Sequence, residues 1–145
     1  MKTYSFLDVQ CAMVGPGLAL DLSAGAGLAD EGISFAFNGE INNTTIGADG
    51  LGFNTLRADK SGTITIRVLK QSPLNQKLSA ALAFQRTSST AHGQNTITLL
   101  DRNKGDNITA QNVAFQRVPN LDFGKDAQMI EWTFSAVTMD MALGS

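Results

Sequence analysis

Cysteine is almost absent from this chain of 145 residues: Cys11 is the single one. A lone thiol cannot form a disulfide within the chain. Basic charge is also sparse, because the 11 Lys and Arg residues are scattered singly and the formal net charge is −2. Without a basic cluster, the chain has no electrostatic footprint for tight nucleic-acid binding.

Long apolar runs are missing as well. None approaches the roughly 20 residues that a helix needs to cross a bilayer, so membrane insertion is not expected. The first ten residues, MKTYSFLDVQ, place Asp8 where a secretory signal would have its apolar core. A signal peptide is therefore not expected either.

Catalytic and metal-binding patterns are equally scarce. The one histidine, His92, stands beside Gly93 with no nucleophile pattern near it, which is typical of a solvent-exposed turn residue. The stretch GADGLG at 47–52 lacks the Gly-Lys-Ser/Thr ending of a phosphate loop. In DRNKGD at 101–106, Lys104 opposes a cation and no Glu completes a calcium loop, so a hairpin turn is predicted. The residues thus predict no enzyme, no metal and no cofactor.

What the sequence does contain is the period-two alternation of β-strands. Ile64, Ile66 and Val68 alternate with polar residues, and residues 130–136 show the same pattern most clearly. Gly15-Pro16-Gly17 predicts the turn of a hairpin between strands within 4–13 and 18–22.

One helix is predicted, from Pro73 to Gln85, because Ser72 can cap it and proline suits the first helical position. The apolar residues that repeat at helical spacing within it are Leu74, Leu78, Ala81 and Leu82. No linker or repeat divides the chain, so we expect a single domain, 1–145. The predicted class is mainly β, a β-sandwich or barrel of about seven or eight antiparallel strands with one packed α-helix.

Two strands carry polar faces opposite their apolar ones. Hydroxyl and charged residues face one way on each strand, and they are Thr63, Thr65, Arg67, Glu131, Thr133 and Ser135. Such a face suits a wall that is packed on one side and wet on the other, although an ordinary solvent-exposed sheet surface would look the same. The polar, glycine-rich segment 38–52 is longer than an ordinary connection, and loops of that length usually have a function.

A series of short stretches in order covers nearly the whole chain. They are Tyr4-Ser5-Phe6 with Asp8-Val9, Gly15-Pro16-Gly17, Glu31-Gly32-Ile33, Gly47-Ala48-Asp49-Gly50, the run 60–67 (KSGTITIR), Leu69-Lys70 with Ser72-Pro73 and Asn75, His92-Gly93-Gln94-Asn95, Gly105-Asp106 with Ile108-Thr109-Ala110, Val113-Ala114-Phe115-Gln116, and Glu131-Trp132-Thr133-Phe134. In these stretches the chain resembles the tail tube proteins of bacteriophages with contractile tails, whose fold is shared with type VI secretion tube proteins. Residues 11–13 and 18–20 depart from that pattern.

The resemblance implies a tail-tube-like β domain that forms hexameric rings. The rings would stack into the helical inner tube of a virion tail and conduct phage DNA without binding it specifically. The polar residues 63, 65, 67, 131, 133 and 135 then become candidates for lining the lumen. Segment 38–52 becomes a candidate inter-subunit arm, and its candidate contact residues are Glu40, Asn42, Asn43, Thr44 and Asp49.

Implied partners are further copies of the chain, a tail sheath protein, a baseplate or tube initiator and a tape measure protein. The implied locations are the virion tail and, during assembly, the host cytoplasm. Two alternatives stay open at this point. One is a type VI secretion-type tube or another tail component. The other is a monomeric β-sandwich binding module, for which exposed aromatic residues would be the mark.

Overall fold

The computed structural model describes residues 3, 5, 8–22, 28–121, 123–124 and 129–144. Within these residues the chain forms nine strands and one helix. In chain order they are β1 (Val9–Gly15), β2 (Leu18–Asp21), β3 (Leu28–Phe37), β4 (Asn42–Ile46), β5 (Gly52–Leu56), β6 (Gly62–Leu69), α1 (Leu74–Gln85), β7 (Asn95–Asp101), β8 (Asn107–Phe115) and β9 (Met129–Ala142).

Seven of these strands form one antiparallel sheet in the order β2-β1-β7-β8-β9-β6-β3. The strands β4 and β5 pair only with each other, as a separate two-stranded sheet. The predicted class, mainly β and antiparallel with one helix, is confirmed. Among the described residues, the large sheet is not closed into a barrel, because β2 and β3 each have a neighbour on one side only.

The predicted first hairpin is present. Gly15 pairs with Leu18, which leaves Pro16 and Gly17 as the two central residues of the turn. Gly17 has φ 70°, a value that glycine adopts without the steric cost of a Cβ, and proline suits the preceding position of such a turn. The turn chemistry in the sequence therefore sets this connection.

The apolar face of β6 and β9 forms the centre of the core. Ile64, Ile66 and Phe134 are fully buried, and Trp132 is nearly so. The Trp132 indole Nε1 donates to Asn75 Oδ1 at 3.0 Å, so its polar atom is satisfied at the edge of the core. Helix α1 packs on this core through its buried residues Leu74, Leu78 and Ala81.

The helix ends on a buried polar residue that the apolar pattern did not predict. Gln85 is almost fully buried, whereas Leu82, the predicted end of the apolar stripe, is only partly buried. The Gln85 amide exchanges two hydrogen bonds with the amide of Asn95, at 2.7 and 2.8 Å. Asn95 also donates to the Val113 carbonyl at 2.9 Å, and Gln85 to the Pro16 carbonyl at 3.3 Å. The two amides thus connect α1 to β7, β8 and the first turn.

Candidate functional site

The six polar candidates lie together on one face of the sheet, opposite the core. They form three directly opposed cross-strand pairs between β6 and β9, which are Thr63 with Ser135, Thr65 with Thr133, and Arg67 with Glu131. The alternation along each strand puts them there because their neighbours in sequence fill the core. The structure therefore brings together residues that lie 64 to 72 positions apart in the chain.

The charges on this face neutralise each other. Arg67 Nε lies 3.5 Å from Glu131 Oε2, and Arg67 Nη1 donates to Ser34 Oγ on β3 at 3.0 Å. The single cation among the six residues is thus held between a carboxylate and a hydroxyl. Because both partners are at least partly exposed, this ion pair adds little to stability, but it removes a free positive charge from the face.

The six residues differ in how much surface they offer. Thr133 is only 5% exposed, and it lines a shallow hollow with Arg117, Pro119 and Asn120. Among the six, Glu131 is the most exposed, and Thr63, Thr65, Arg67 and Ser135 are partly buried. In the single subunit, the solvent-facing part of the face therefore comes from the five residues other than Thr133.

The segment predicted as a long polar arm is a β-hairpin. The strands β4 and β5 pair from Asn42 with Leu56 to Ile46 with Gly52, so the hairpin continues four residues beyond the predicted segment 38–52. Of the candidate arm residues, Asn42, Asn43 and Thr44 lie on β4, Glu40 precedes it, and Asp49 lies in the tip.

Polar side chains hold the hairpin together. Asn42, Thr44 and Asn54 share one face, where Thr44 donates to Asn54 Oδ1 at 2.8 Å and Asn42 donates to both others at 3.0 and 3.2 Å. At the tip, Asp49 Oδ1 accepts the N–H of Leu51 at 3.1 Å, and Gly50 has φ 85°. These contacts explain the many Asn, Thr and Gly residues of the segment.

The hairpin also carries apolar side chains that sequence reasoning missed, because the segment as a whole is polar. Five large ones are between 63% and 84% exposed, and they are Ile41, Ile46, Leu51, Phe53 and Leu56. An isolated two-stranded hairpin is marginally stable in water, and an unusual number of exposed apolar groups on one short element indicates an interaction surface. The signal in the sequence was the pair of short apolar-containing runs on either side of GADGLG.

Hydrogen bonds at the end of the hairpin nearest the large sheet join the two. Asn38 N–H donates to the Ser61 carbonyl at 3.1 Å, and Thr63 Oγ1 donates to Asn38 Oδ1 at 2.9 Å. Asp59 Oδ1 accepts both the backbone N–H and the hydroxyl of Ser61, and these hydrogen bonds lower the pKa of the Asp59 carboxyl. This end of the hairpin therefore lies beside the polar face, at Thr63.

In the turns that resembled ligand loops, the side-chain oxygens accept hydrogen bonds from backbone N–H groups. Asp101 Oδ1 accepts the N–H groups of Asn103 at 3.1 Å and Lys104 at 3.4 Å, so the predicted hairpin turn between β7 and β8 is confirmed. Within the described residues, no group of three or more His, Cys, Asp or Glu is placed to hold a metal ion. Over the same part of the chain, no helix is long and apolar enough to cross a membrane.

Comparison with known proteins relates this arrangement to tubes. The family model described as "Bacteriophage PhiTE tail tube protein" matches residues 1–144. No curated protein sequence matches the chain. The fold is similar to a chain in the virion of a native gene transfer agent particle, with TM-score 0.56, 11% identity, and 99% of this chain and 100% of that chain covered.

Two further solved structures also contain chains of similar fold. A chain of the anti-feeding prophage baseplate, 6-fold symmetrised, has TM-score 0.55 and 13% identity over 98% of this chain and 96% of that one. A chain of the sheath-tube complex of an extracellular contractile injection system, PVC, has TM-score 0.52 and 13% identity over 92% and 88%. At these identities the likeness concerns the fold.

Proposed function

The chain belongs to the Bacteriophage PhiTE tail tube protein family, and we propose that it forms hexameric rings that stack into the inner tube of a contractile phage tail. The tube conducts phage DNA into the host. The similar fold in a 6-fold symmetrised particle supports the ring size. The protein acts as a structural component and not as an enzyme.

The main support for the proposal is that a single subunit leaves strand edges and apolar side chains uncovered. Over the part of the chain that the structure describes, its sheet is open at β2 and β3, and unpaired strand edges are ready to pair with another chain. Its hairpin exposes apolar groups that no core of its own covers. Joining the sheets of neighbouring subunits around a ring would pair the edges, and contacts of the hairpin with another subunit would cover the apolar groups.

The polar face of β6 and β9 is the proposed wall of the channel. DNA has to slide past it, and each unpaired Lys or Arg would bind phosphate by releasing counterions. Small hydroxyls at Thr63, Thr65 and Ser135, with Arg67 neutralised by Glu131, give a wet surface without that attraction. Helix α1 lies on the opposite, core side of the sheet, and it would cover the outside of the barrel.

The partners follow from a place inside a contractile tail. We expect contacts with a sheath protein around the tube, with a baseplate or tube initiator at one end, and with a tape measure protein in the lumen before DNA enters. Similar chains are present in a sheath-tube complex and in a baseplate. The protein is expected in the virion tail, after assembly in the host cytoplasm.

Electron microscopy of the purified, concentrated protein tests the proposal directly. Hollow rings or tubes with sixfold end views are expected, together with a light-scattering mass that is a multiple of the hexamer. Closed rings that do not stack would favour a type VI secretion-type tube or another tail component. A protein that stays monomeric at every concentration, even with a baseplate added as initiator, would leave the binding-module alternative.

Size-selective labelling tests the lumen assignment. A Thr65→Cys variant in assembled tubes should react with a small maleimide but not with one attached to a polymer wider than the channel. An Ala80→Cys variant, exposed on α1, is the matched control and should react with both reagents. In unassembled subunits both variants should react with both. Equal labelling of the two variants in tubes by the large reagent would contradict the assignment.

A further inference from the structure

A hollow of about 300 Å³ lies where helix α1 ends and the loop to β7 begins. We call it the α1-end hollow, and its lining residues are Gln85, Arg86, Ser88, Ser89 and His92. None of the six residues of the polar face lines it, and no residue of the hairpin does. The proposed function therefore does not use this site.

One buried side chain forms a fixed wall of the α1-end hollow. Gln85 is only 1% exposed, and its amide oxygen accepts from the Asn95 amide at 2.8 Å. Its amide nitrogen donates to Asn95 Oδ1 at 2.7 Å and to the Pro16 carbonyl at 3.3 Å. Because both N–H groups of the amide have acceptors, Gln85 supplies a rigid wall and leaves ligand binding to the other side chains.

The other side chains around the hollow are hydrogen-bond donors with few partners. Within the described part of the chain, the Arg86 guanidinium, the Ser89 hydroxyl and the His92 ring make no hydrogen bond and no ion pair. The Ser88 hydroxyl accepts the Thr90 N–H at 3.1 Å and lies 2.7 Å from the Thr90 hydroxyl. It can still donate into the hollow, because the Thr90 hydroxyl can supply the hydrogen between the two.

The end of a helix normally disfavours an anion, because its last carbonyls carry partial negative charge. At the end of α1 these carbonyls are occupied. The Leu82 carbonyl accepts the Arg86 N–H at 3.1 Å. The Phe84 carbonyl accepts both the N–H and the hydroxyl of Thr87, at 3.2 and 2.6 Å. These hydrogen bonds reduce the repulsion that an anion would meet there.

Acidic residues are missing from this part of the sequence. Residues 60–100 contain no Asp and no Glu, and no acid lines the hollow. Two bases of that stretch have acidic partners on β9, which are Asp140 for Lys60 and Glu131 for Arg67. Arg86 has no such partner among the described residues, so its charge is available to a ligand.

We infer that the α1-end hollow binds a phosphate group. The guanidinium fork of Arg86 matches two phosphate oxygens. The hydroxyls of Ser88 and Ser89 and an N–H of His92 are donors for the remaining oxygens. A carboxylate has only two oxygens, which a guanidinium alone can pair with, so the additional donors favour the tetrahedral anion. The inference does not depend on the proposed tube function, because neither the polar face nor the hairpin takes part in it.

Equilibrium dialysis of the full chain, as subunits and as tubes, against radiolabelled inorganic phosphate tests the site. We expect saturable binding of one phosphate per subunit. Arg86→Gln should weaken binding at least about tenfold, because it removes a charged hydrogen-bond donor, and His92→Gln should weaken it less. The matched control is Lys77→Gln, which removes an exposed base of the same helix outside the hollow. It should leave the affinity unchanged.

Competition identifies the source of the phosphate group. Displacement by O-phosphoserine would show that the hollow accepts a phosphate monoester, and lack of displacement would restrict it to the free ion, so the inference stands in both cases. Equal displacement by a tetraglutamate peptide would overturn it, because carboxylates would then bind as well as phosphate. Absence of saturable binding, or the same loss in Lys77→Gln as in Arg86→Gln, would overturn it too. None of these results bears on ring and tube formation, which electron microscopy measures separately.

Discussion

Replacing residues 42–56 with a short Gly-Ser turn is expected to abolish tube formation and leave a folded, monomeric subunit. The two hairpin strands pair only with each other, so their removal takes no strand from the seven-stranded sheet. The entropy cost of closing a loop changes only slowly with loop length. The free energy of unfolding should therefore stay within about 1 kcal/mol of the value for the native chain. Circular dichroism and urea unfolding measure the fold, and electron microscopy measures assembly.

A less drastic variant separates the apolar contacts from the length of the hairpin. Phe53→Ser combined with Leu56→Ser keeps both strands and the hydrogen bonds among Asn42, Thr44 and Asn54. This variant should also fail to assemble, because it removes two of the five exposed apolar groups that we expect to be buried. The control is Phe84→Ser, an exposed aromatic on α1, which should still form tubes. Normal tubes from the Phe53/Leu56 variant would show that the apolar groups are not the contact.

The second large effect concerns stability and lies at the Gln85–Asn95 pair. Asn95→Ala removes both hydrogen bonds between the two amides and the bond to the Val113 carbonyl. It leaves polar atoms of Gln85 buried without their main partner, which is expected to cost about 3 kcal/mol of unfolding free energy. Gln85→Met, which leaves the Asn95 amide with fewer partners, is expected to cost about 2 kcal/mol.

The double variant decides whether the two amides act as a unit. With both amides gone, neither side chain leaves a polar atom buried without its partner. The loss of unfolding free energy in the double variant should therefore be about 1–2 kcal/mol smaller than the sum of the two single losses. Urea unfolding is measured at a concentration where the subunit is monomeric, because assembly would add its own stabilisation. Costs that simply add would mean that the amides are not coupled. Gly15→Ala is an independent probe, because its methyl would collide with Asn95 Oδ1.

Local patterns in the sequence determined much of this fold. The alternation in β6 and β9 predicts which side chains enter the core, because successive residues of a strand point to opposite faces. The Gly15-Pro16-Gly17 turn and the helix from Leu74 to Gln85 follow from backbone preferences that act over a few residues. The near-neutral charge and the single cysteine and histidine offered no recognisable catalytic or metal-binding pattern.

Only the tertiary structure decided which elements become neighbours. The strand pattern at Thr63 to Arg67 shows a wet face, but it does not show that residues 131–135 stand opposite it. Likewise, Gln85 looks like the polar end of a helix until Asn95 is brought against it. The hairpin looked polar because its apolar residues are few and spaced apart, and their exposure depends on the strands pairing with each other. Strand pairing joins residues far apart in the chain, and the period of a strand specifies its faces but not its partner.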